Sequence, residues 1–257
     1  ASGNLRPARF GGMATPFGVH LHCGTAMAGP GHLALVSNGV VLGVMAGLAW
    51  VGVYCISWLC DPAWHGSLSA LWAGGGGAMG PGFGWIVRAQ FALLVLLLLL
   101  LLRFSPLSHY HAAEHMVVHA LEQGEPLTVE AAARMSRVHW RCGSNLVAGV
   151  AIVVLALASG FDWRWFAVAV ALLPWSWRIG AGAQRYFATR PPGVKHLQSA
   201  VRAGEQLLSR YIAGGPRVPG LLGRLWYSGL LQVGVGLALA YGAWHLLERL
   251  LLATVVR

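Results

Sequence analysis

The chain has 257 residues, of which 56% are hydrophobic and only 10% charged, far below the ~25% charged content of ordinary soluble domains. That composition excludes a large soluble enzyme. Apolar runs of roughly 20 residues with almost no internal charge read as membrane-spanning helices, because a hydrocarbon core ~30 Å thick needs about that many residues at ~1.5 Å each. The net charge of +10 does not point to nucleic acid, since the basic residues gather in loops on one side, where an anionic leaflet accounts for them. The reading is an all-α integral membrane protein of about five transmembrane helices with cytoplasmic interfacial helices.

In chain order, residues 1–32 form a polar N-terminal segment without the continuous apolar core of a signal peptide. Within it, His20, His22 and Cys23 form either a weak metal-binding pattern or a surface turn. Residues 33–104 hold two spans, about Leu33–Leu59 and Trp85–Phe104. Cys55 and Cys60 close the first as core or interface residues that diverge too far for a disulfide. Between the spans, Gly74–Gly77 and Gly80-Pro81-Gly82 lack the Lys-Ser/Thr ending of a phosphate loop and read as a flexible exterior loop. Arg88 lies near enough to the helix end to snorkel to the interface.

Residues 105–145 are the long polar interruption, and 146–180 form a hairpin of spans, about Leu146–Ser159 and Trp165–Ile179, turning at Gly160–Arg164. Trp163, Trp165, Trp175 and Trp177 mark the fourth span's ends, and Pro174 kinks it. Residues 181–224 are polar again. His196–Tyr211 has one apolar helical face, with Lys195, Arg202 and Arg210 placed for headgroups. Residues 225–257 carry a fifth span, about Leu225–Leu247. All Lys and Arg except Arg88, Arg164, Arg249 and Arg257 fall on one side. The expected placement is therefore a multi-pass protein of the bacterial cytoplasmic (inner) membrane, N-terminus inside.

Chemistry concentrates in 105–145. Pro106 and Ser108 start a helix and Gly124-Glu125-Pro126 stops it, so 108–123 is one helix. At ~100° per residue, His111, His115, His119 and Glu122 share one face, with Glu114 beside them and His109 pointing away. From His111 to Glu122 is ~16 Å along the axis, too long for one ion with ~2 Å bonds. Two groupings follow. His111 and His115 hold a metal with Glu114 as general base, in H-x-x-E-H order, or His115, His119 and Glu122 are the ligands. His139 and Cys142 could join by folding back after a short helix capped by Thr128. The donor types suit Zn²⁺. The plainer reading is a solvated polar face.

The stretches Tyr110–His115 with Glu122, Leu127–Glu130 and Ser136–Gly143 resemble the YqhQ-like family, membrane proteins of unknown function labelled predicted metal-dependent enzymes. Gly11-Gly12 and the stretch around Thr189-Arg190 give weaker matches. The chain departs from the family pattern at Phe17, Trp140, Pro191, Gly193 and Val194. The resemblance implies a metal-dependent activity at the central residues.

Three functions are consistent with these residues. One is a metal-dependent hydrolase at the cytoplasmic face. Another is a non-catalytic accessory or assembly subunit bound to other membrane subunits or to copies of itself, favoured by small-residue faces (Gly39, Gly43, Gly47; Gly229, Gly234, Gly236, Gly242). The third is a haem- or chlorophyll-type cofactor subunit with His245 as axial ligand.

Overall fold

The computed structural model describes residues 10–60, 83–158, 162–215 and 217–255, with side chains left out at Phe83 and over 251–255. The Gly-rich loop and the Gly160-Phe161 turn lie outside the described residues. The chain divides into two compact units, Ala1–Val44, Leu102–His139 and Arg185–Arg257 forming one and Met45–Leu101 with Trp140–Gln184 the other. Among the described residues, four helices are long and apolar enough to cross a membrane, and the window that qualifies each is at most 17% buried within the protein. Side chains such as Val44, Trp50, Leu96 and Leu237 are instead exposed, as a helix solvated by lipid requires. The architecture is that of an all-α membrane protein, with one small sheet among the described residues.

That sheet belongs to the first unit and was not expected. Strands β1 (Gly11–Thr15), β2 (Gly18–Cys23) and β3 (Ala26–Ala28) form an antiparallel meander in the order β1-β2-β3. Thr15 Oγ1 closes the first turn by donating to Gly18 O at 2.9 Å. In β2 the period of two decides everything. Val19, Leu21 and Cys23 enter the core, whereas His20 and His22 lie on the opposite face. The His20-His22-Cys23 pattern therefore cannot be one metal cluster. His20 Nε2 lies 3.0 Å from Tyr227 O, and burial raises the pKa of the Cys23 thiol.

The inner face of the sheet packs on α3 (Leu107–Gln123) and α8 (Val194–Gly214), with α4 (Val129–Ala133) completing the cluster. Val19, Leu21, Val117 and Leu207 are fully buried there, each contributing roughly 1.5–3 kcal/mol. The amphipathic face of α8, expected against lipid, is thus covered by protein through Leu197, Val201 and Leu207. Helix α1 (His32–Cys60) begins in this unit and meets α10 (Leu230–Val255) through glycines. A Cβ on Gly39 would overlap Val233 O and come within 2.9 Å of Gly236 Cα. The fifth span is broken from α9 (Leu221–Tyr227) at Gly229, whose φ of 86° only glycine adopts readily.

The second unit contains α2 (Phe83–Phe104, as far as Leu101), α5 (Gly143–Leu157), α6 (Trp163–Leu172) and α7 (Ser176–Ala183). Helix α5 has 15 residues, about 22 Å, short of a full crossing. Arg88 does not snorkel. It is 6% exposed, stacks 4.4 Å over the Trp165 ring, and donates to Gly84 O and Ala156 O at 2.9 and 3.3 Å. Its charge thus meets the carbonyl end of the short α5. Pro174 ends α6 in a 3₁₀ turn, Leu173–Trp175, as a missing N–H dictates. The helical path nevertheless continues to a π turn at Gln184–Ala188 rather than giving way to a polar loop near residue 180. Gln184 is fully buried and donates to Asn145 Oδ1 at 2.9 Å, while Asn145 Nδ2 reaches Trp140 O at 2.7 Å. None of the four cysteines forms a disulfide, and Cys55 and Cys60 are exposed on α1, not in a core.

The two helix glycine types differ in a measurable way. Gly39→Ala forces Cβ onto backbone and should lower the detergent melting point, a loss of about 2 kcal/mol or more. Gly242, with nothing near its Cβ position, should accept alanine within about 0.5 kcal/mol. The outer face of the sheet gives a pH prediction. Burial, then the neighbouring His20, lowers the pKa of His22 from 6.5 to about 4. Between those values the unfolded chain binds a proton that the folded chain refuses, so stability is complete above pH 6.5 and falls as pH drops toward 4. Thermal melts of His22→Gln should show a shallower decline over that window than the unaltered protein.

Candidate metal centre

Helix α3 carries the central residues. Ser108 Oγ donates to Ser105 O at 2.9 Å at its start, and Gly124, with φ 69°, turns its N–H back to Ala120 O at its end. Ala113, Met116, Val117 and Ala120 are buried, which leaves the imidazole face as the other side. Glu114 sits at the border between the two. It is 7% exposed, and a Cβ on Gly12 of β1 would come within 2.7 Å of its Cγ and Oε1. Gly12 is therefore the residue that lets β1 close over this carboxylate. The Gly11-Gly12 pair was its only sequence signal.

After α4, capped as expected by Thr128 Oγ1 accepting from Ala131 N at 3.1 Å, residues 134–139 fold back across the imidazole face. Ser136 Oγ braces this loop by accepting from Val138 N at 3.1 Å. The return brings His139 to Glu122, with Nε2 3.3 Å from Oε2, and sets its ring 4.6 Å from that of His119. His119, Glu122 and His139 each offer one ligand atom, all within 4.8 Å of one another. The upper pair, His111 and His115, has ring centroids 4.4 Å apart, and His115 lies 5.7 Å from His139. Neighbouring rings thus link His111, His115, His139 and His119 across the helix and the returning loop. Glu114 Oε2 is 3.8 Å from His115 Nε2.

Three of these rings are oriented by backbone carbonyls. His111 Nδ1 lies 3.1 Å from Ala188 O, His115 Nδ1 2.6 Å from Arg137 O and His119 Nε2 3.1 Å from Val138 O. A carbonyl only accepts, so each of these nitrogens carries the proton. In the neutral rings the lone pair is then on Nε2 of His111 and His115 and on Nδ1 of His119. Carbonyl support of this kind is how ligating imidazoles are usually held. Burial, followed by the charge of His111, keeps the pKa of His115 well below 6.5. Burial, then His119, lowers that of His139 to about 4. Both are neutral near pH 7, the state a metal requires. These carbonyl partners could not be read from sequence, because a backbone oxygen leaves no mark on residue type.

Of the other expected residues, two histidines lie elsewhere. His109 points away, its Nδ1 2.8 Å from Pro191 O and its ring stacked 4.9 Å from His196. Cys142 belongs to the second unit, immediately before α5, and its Sγ accepts from Ser144 Oγ at 3.3 Å. His245 is half-exposed on α10 with Nδ1 3.2 Å from Glu248 Oε2 of the same helix.

A family model described as a protein of unknown function, DUF1385, matches residues 85–181. The uncharacterized protein YqhQ of Bacillus subtilis (strain 168) is 37% identical over 97 residues, which is 34% of this chain and 30% of that relative. Residues 85–181 are thus similar to a family of unknown function. All six candidate ligands, His111, His115, His119, Glu122, His139 and Cys142, fall inside the stretch that the family model matches, as does Glu114. The chain thus spans less than a third of the length of the curated relative it matches. No solved structure matches it.

Ring-nitrogen chemical shifts provide a check on the orienting carbonyls. His115 should show the Nδ1–H tautomer at pH 7 and titrate well below 6.5. A conventional titration near pH 6.5 would contradict the buried, carbonyl-held ring.

Proposed function

We propose that the protein is a metal-dependent hydrolase of the bacterial cytoplasmic membrane, with its site on the cytoplasmic face. The carrying observation is the convergence of His119, Glu122 and His139. In a tetrahedral zinc site with bonds of about 2.0–2.1 Å, neighbouring ligand atoms are roughly 3.4 Å apart, and His139 Nε2 and Glu122 Oε2 stand at 3.3 Å. The nitrogen and oxygen donors therefore fit Zn²⁺. A bound zinc would supply Lewis acidity and a water acidic enough to ionise near neutral pH.

The remaining roles belong to the chain's own side chains. Glu114, shielded under Gly12 and 3.8 Å from His115 Nε2, accepts a proton as general base. His111 and His115 present lone pairs beside it and either bind the substrate's polar groups or complete the coordination. Cys142, three residues after His139, is a further candidate ligand. The positive-inside bias of the loops supports a cytoplasmic position for this face and the N-terminus.

The accessory-subunit reading has less to rest on than the sequence offered. Gly39 and Gly43 of the small-residue face are occupied within the chain by Gly236 and Ala240. Gly234 and Gly242, with open space at their Cβ positions, still offer small-residue surface to a partner helix or a second copy.

Metal analysis of the purified protein should give about one Zn²⁺ per chain. His119→Ala, Glu122→Gln and His139→Ala should each lower zinc affinity by about 10-fold or more. Glu114→Gln should keep the metal and lose about 10²–10⁴-fold in hydrolytic rate. Unaltered protein free of stoichiometric metal would overturn the reading.

A further inference from the structure

A cavity of about 200 Å³ lies in the first unit, away from the linked imidazoles, and the proposed hydrolysis does not use it. It is lined by His20, Met27, the Gly29–Gly31 turn, His32 and Arg210 among others. Its size is below the roughly 300–1,000 Å³ of sites for drug-sized ligands, so it takes a small group. None of the described residues lining it is acidic, while Arg210 carries a permanent charge. Arg210 is also fixed in place, since its Nη1 donates to Met27 O at 2.6 Å. Its other guanidinium N–H groups are still available to an anion.

The second donor comes from His32. Gln232 Nε2, which can only donate, lies 2.9 Å from His32 Nδ1. The neutral ring therefore carries its proton on Nε2, and a tilted contact with the Trp226 ring, centroids 4.9 Å apart, holds it in place. His32 is also the first residue of α1, so the positive end of that helix adds to the field. On the outer face of the sheet, His20 gives its Nε2 proton to Tyr227 O. Its Nδ1 is thus an acceptor, suited to a hydroxyl beside the anion. A fixed cation, one N–H donor and one acceptor make a site for a hydroxyl-bearing phosphate.

Its level in the fold indicates the source. The cavity sits where α1, a candidate membrane span, begins, and headgroup phosphates lie at that depth. We propose that this cavity binds a phosphate group, contributed by the headgroup of an anionic phospholipid.

The test uses the full chain in neutral detergent and reads protection against thermal unfolding. Three ligands are compared, namely short-chain phosphatidylglycerol, short-chain phosphatidylcholine and inorganic phosphate. Phosphatidylglycerol should protect at about 10-fold lower concentration than phosphatidylcholine, a difference of about 1.4 kcal/mol. Arg210→Gln should remove about 10-fold of that potency. Arg202→Gln, an equal loss of charge on α8 outside the cavity, should change it less than about twofold. Protection by inorganic phosphate at equal or lower concentration, lost in Arg210→Gln, would keep the phosphate site and assign it a soluble source. If Arg210→Gln melts early without ligand, His32→Gln serves instead, with several-fold weaker protection expected. Equal potency of the two lipids without protection by phosphate, or equal effects of Arg202→Gln and Arg210→Gln, would overturn the proposal. Zinc content should not change in any arm.

Discussion

The first unit depends on one constraint, which is that helix α3 has two incompatible faces and both must be satisfied at once. Its apolar side, through Ala113, Met116 and Val117, is buried against the sheet and α8. That burial fixes the helix about its axis, so the opposite side must present His111, His115 and His119 to the returning 134–139 loop. Had α3 been free to roll, none of the carbonyl contacts from Ala188, Arg137 and Val138 would hold. Hydrophobic packing thus does the orienting, and hydrogen bonds refine it to particular nitrogens.

Those hydrogen bonds have an electrostatic consequence. Imidazoles this close repel one another when charged, and burial makes charging costlier still. The neutral form of His115 and His139 is therefore the low-energy one in the fold. Rings with assigned lone pairs, two of them held neutral by burial, are well suited to a cation and poorly suited to remaining a merely solvated surface. Glu114 and Glu122 add negative charge beside them, at 3.8 Å from His115 and 3.3 Å from His139.

The second unit solves a different problem with the same means. Helix α5 is too short to cross a bilayer, so its carbonyl end must find donors within protein. Arg88 supplies them while resting on Trp165. At the other end, Asn145 and Gln184 satisfy each other and Trp140 O. Polar residues that looked like membrane-surface anchors or loop members in the sequence are internal connectors instead.

What the sequence determined by itself followed from repeating patterns. Long apolar runs gave the spans, and the period of 3.6 put His111, His115, His119 and Glu122 on one face. Gly124 and Thr128 marked a helix end and a helix start to within a residue. The two-tier division also came from sequence, because ~16 Å of helix exceeds the reach of one ion. What only the tertiary structure decided involves partners distant along the chain. Ring tautomers depend on carbonyls as far away as Ala188, and the shielding of Glu114 depends on the absent side chain of Gly12. That His20 and His22 share a face follows from their alternation once the piece is extended, but only the sheet decided that the short, glycine-rich 10–28 segment is extended. Snorkelling against internal pairing, for Arg88, was decided by the length of α5. Each of these turns on where a second element ends, and no periodicity within the first can encode that.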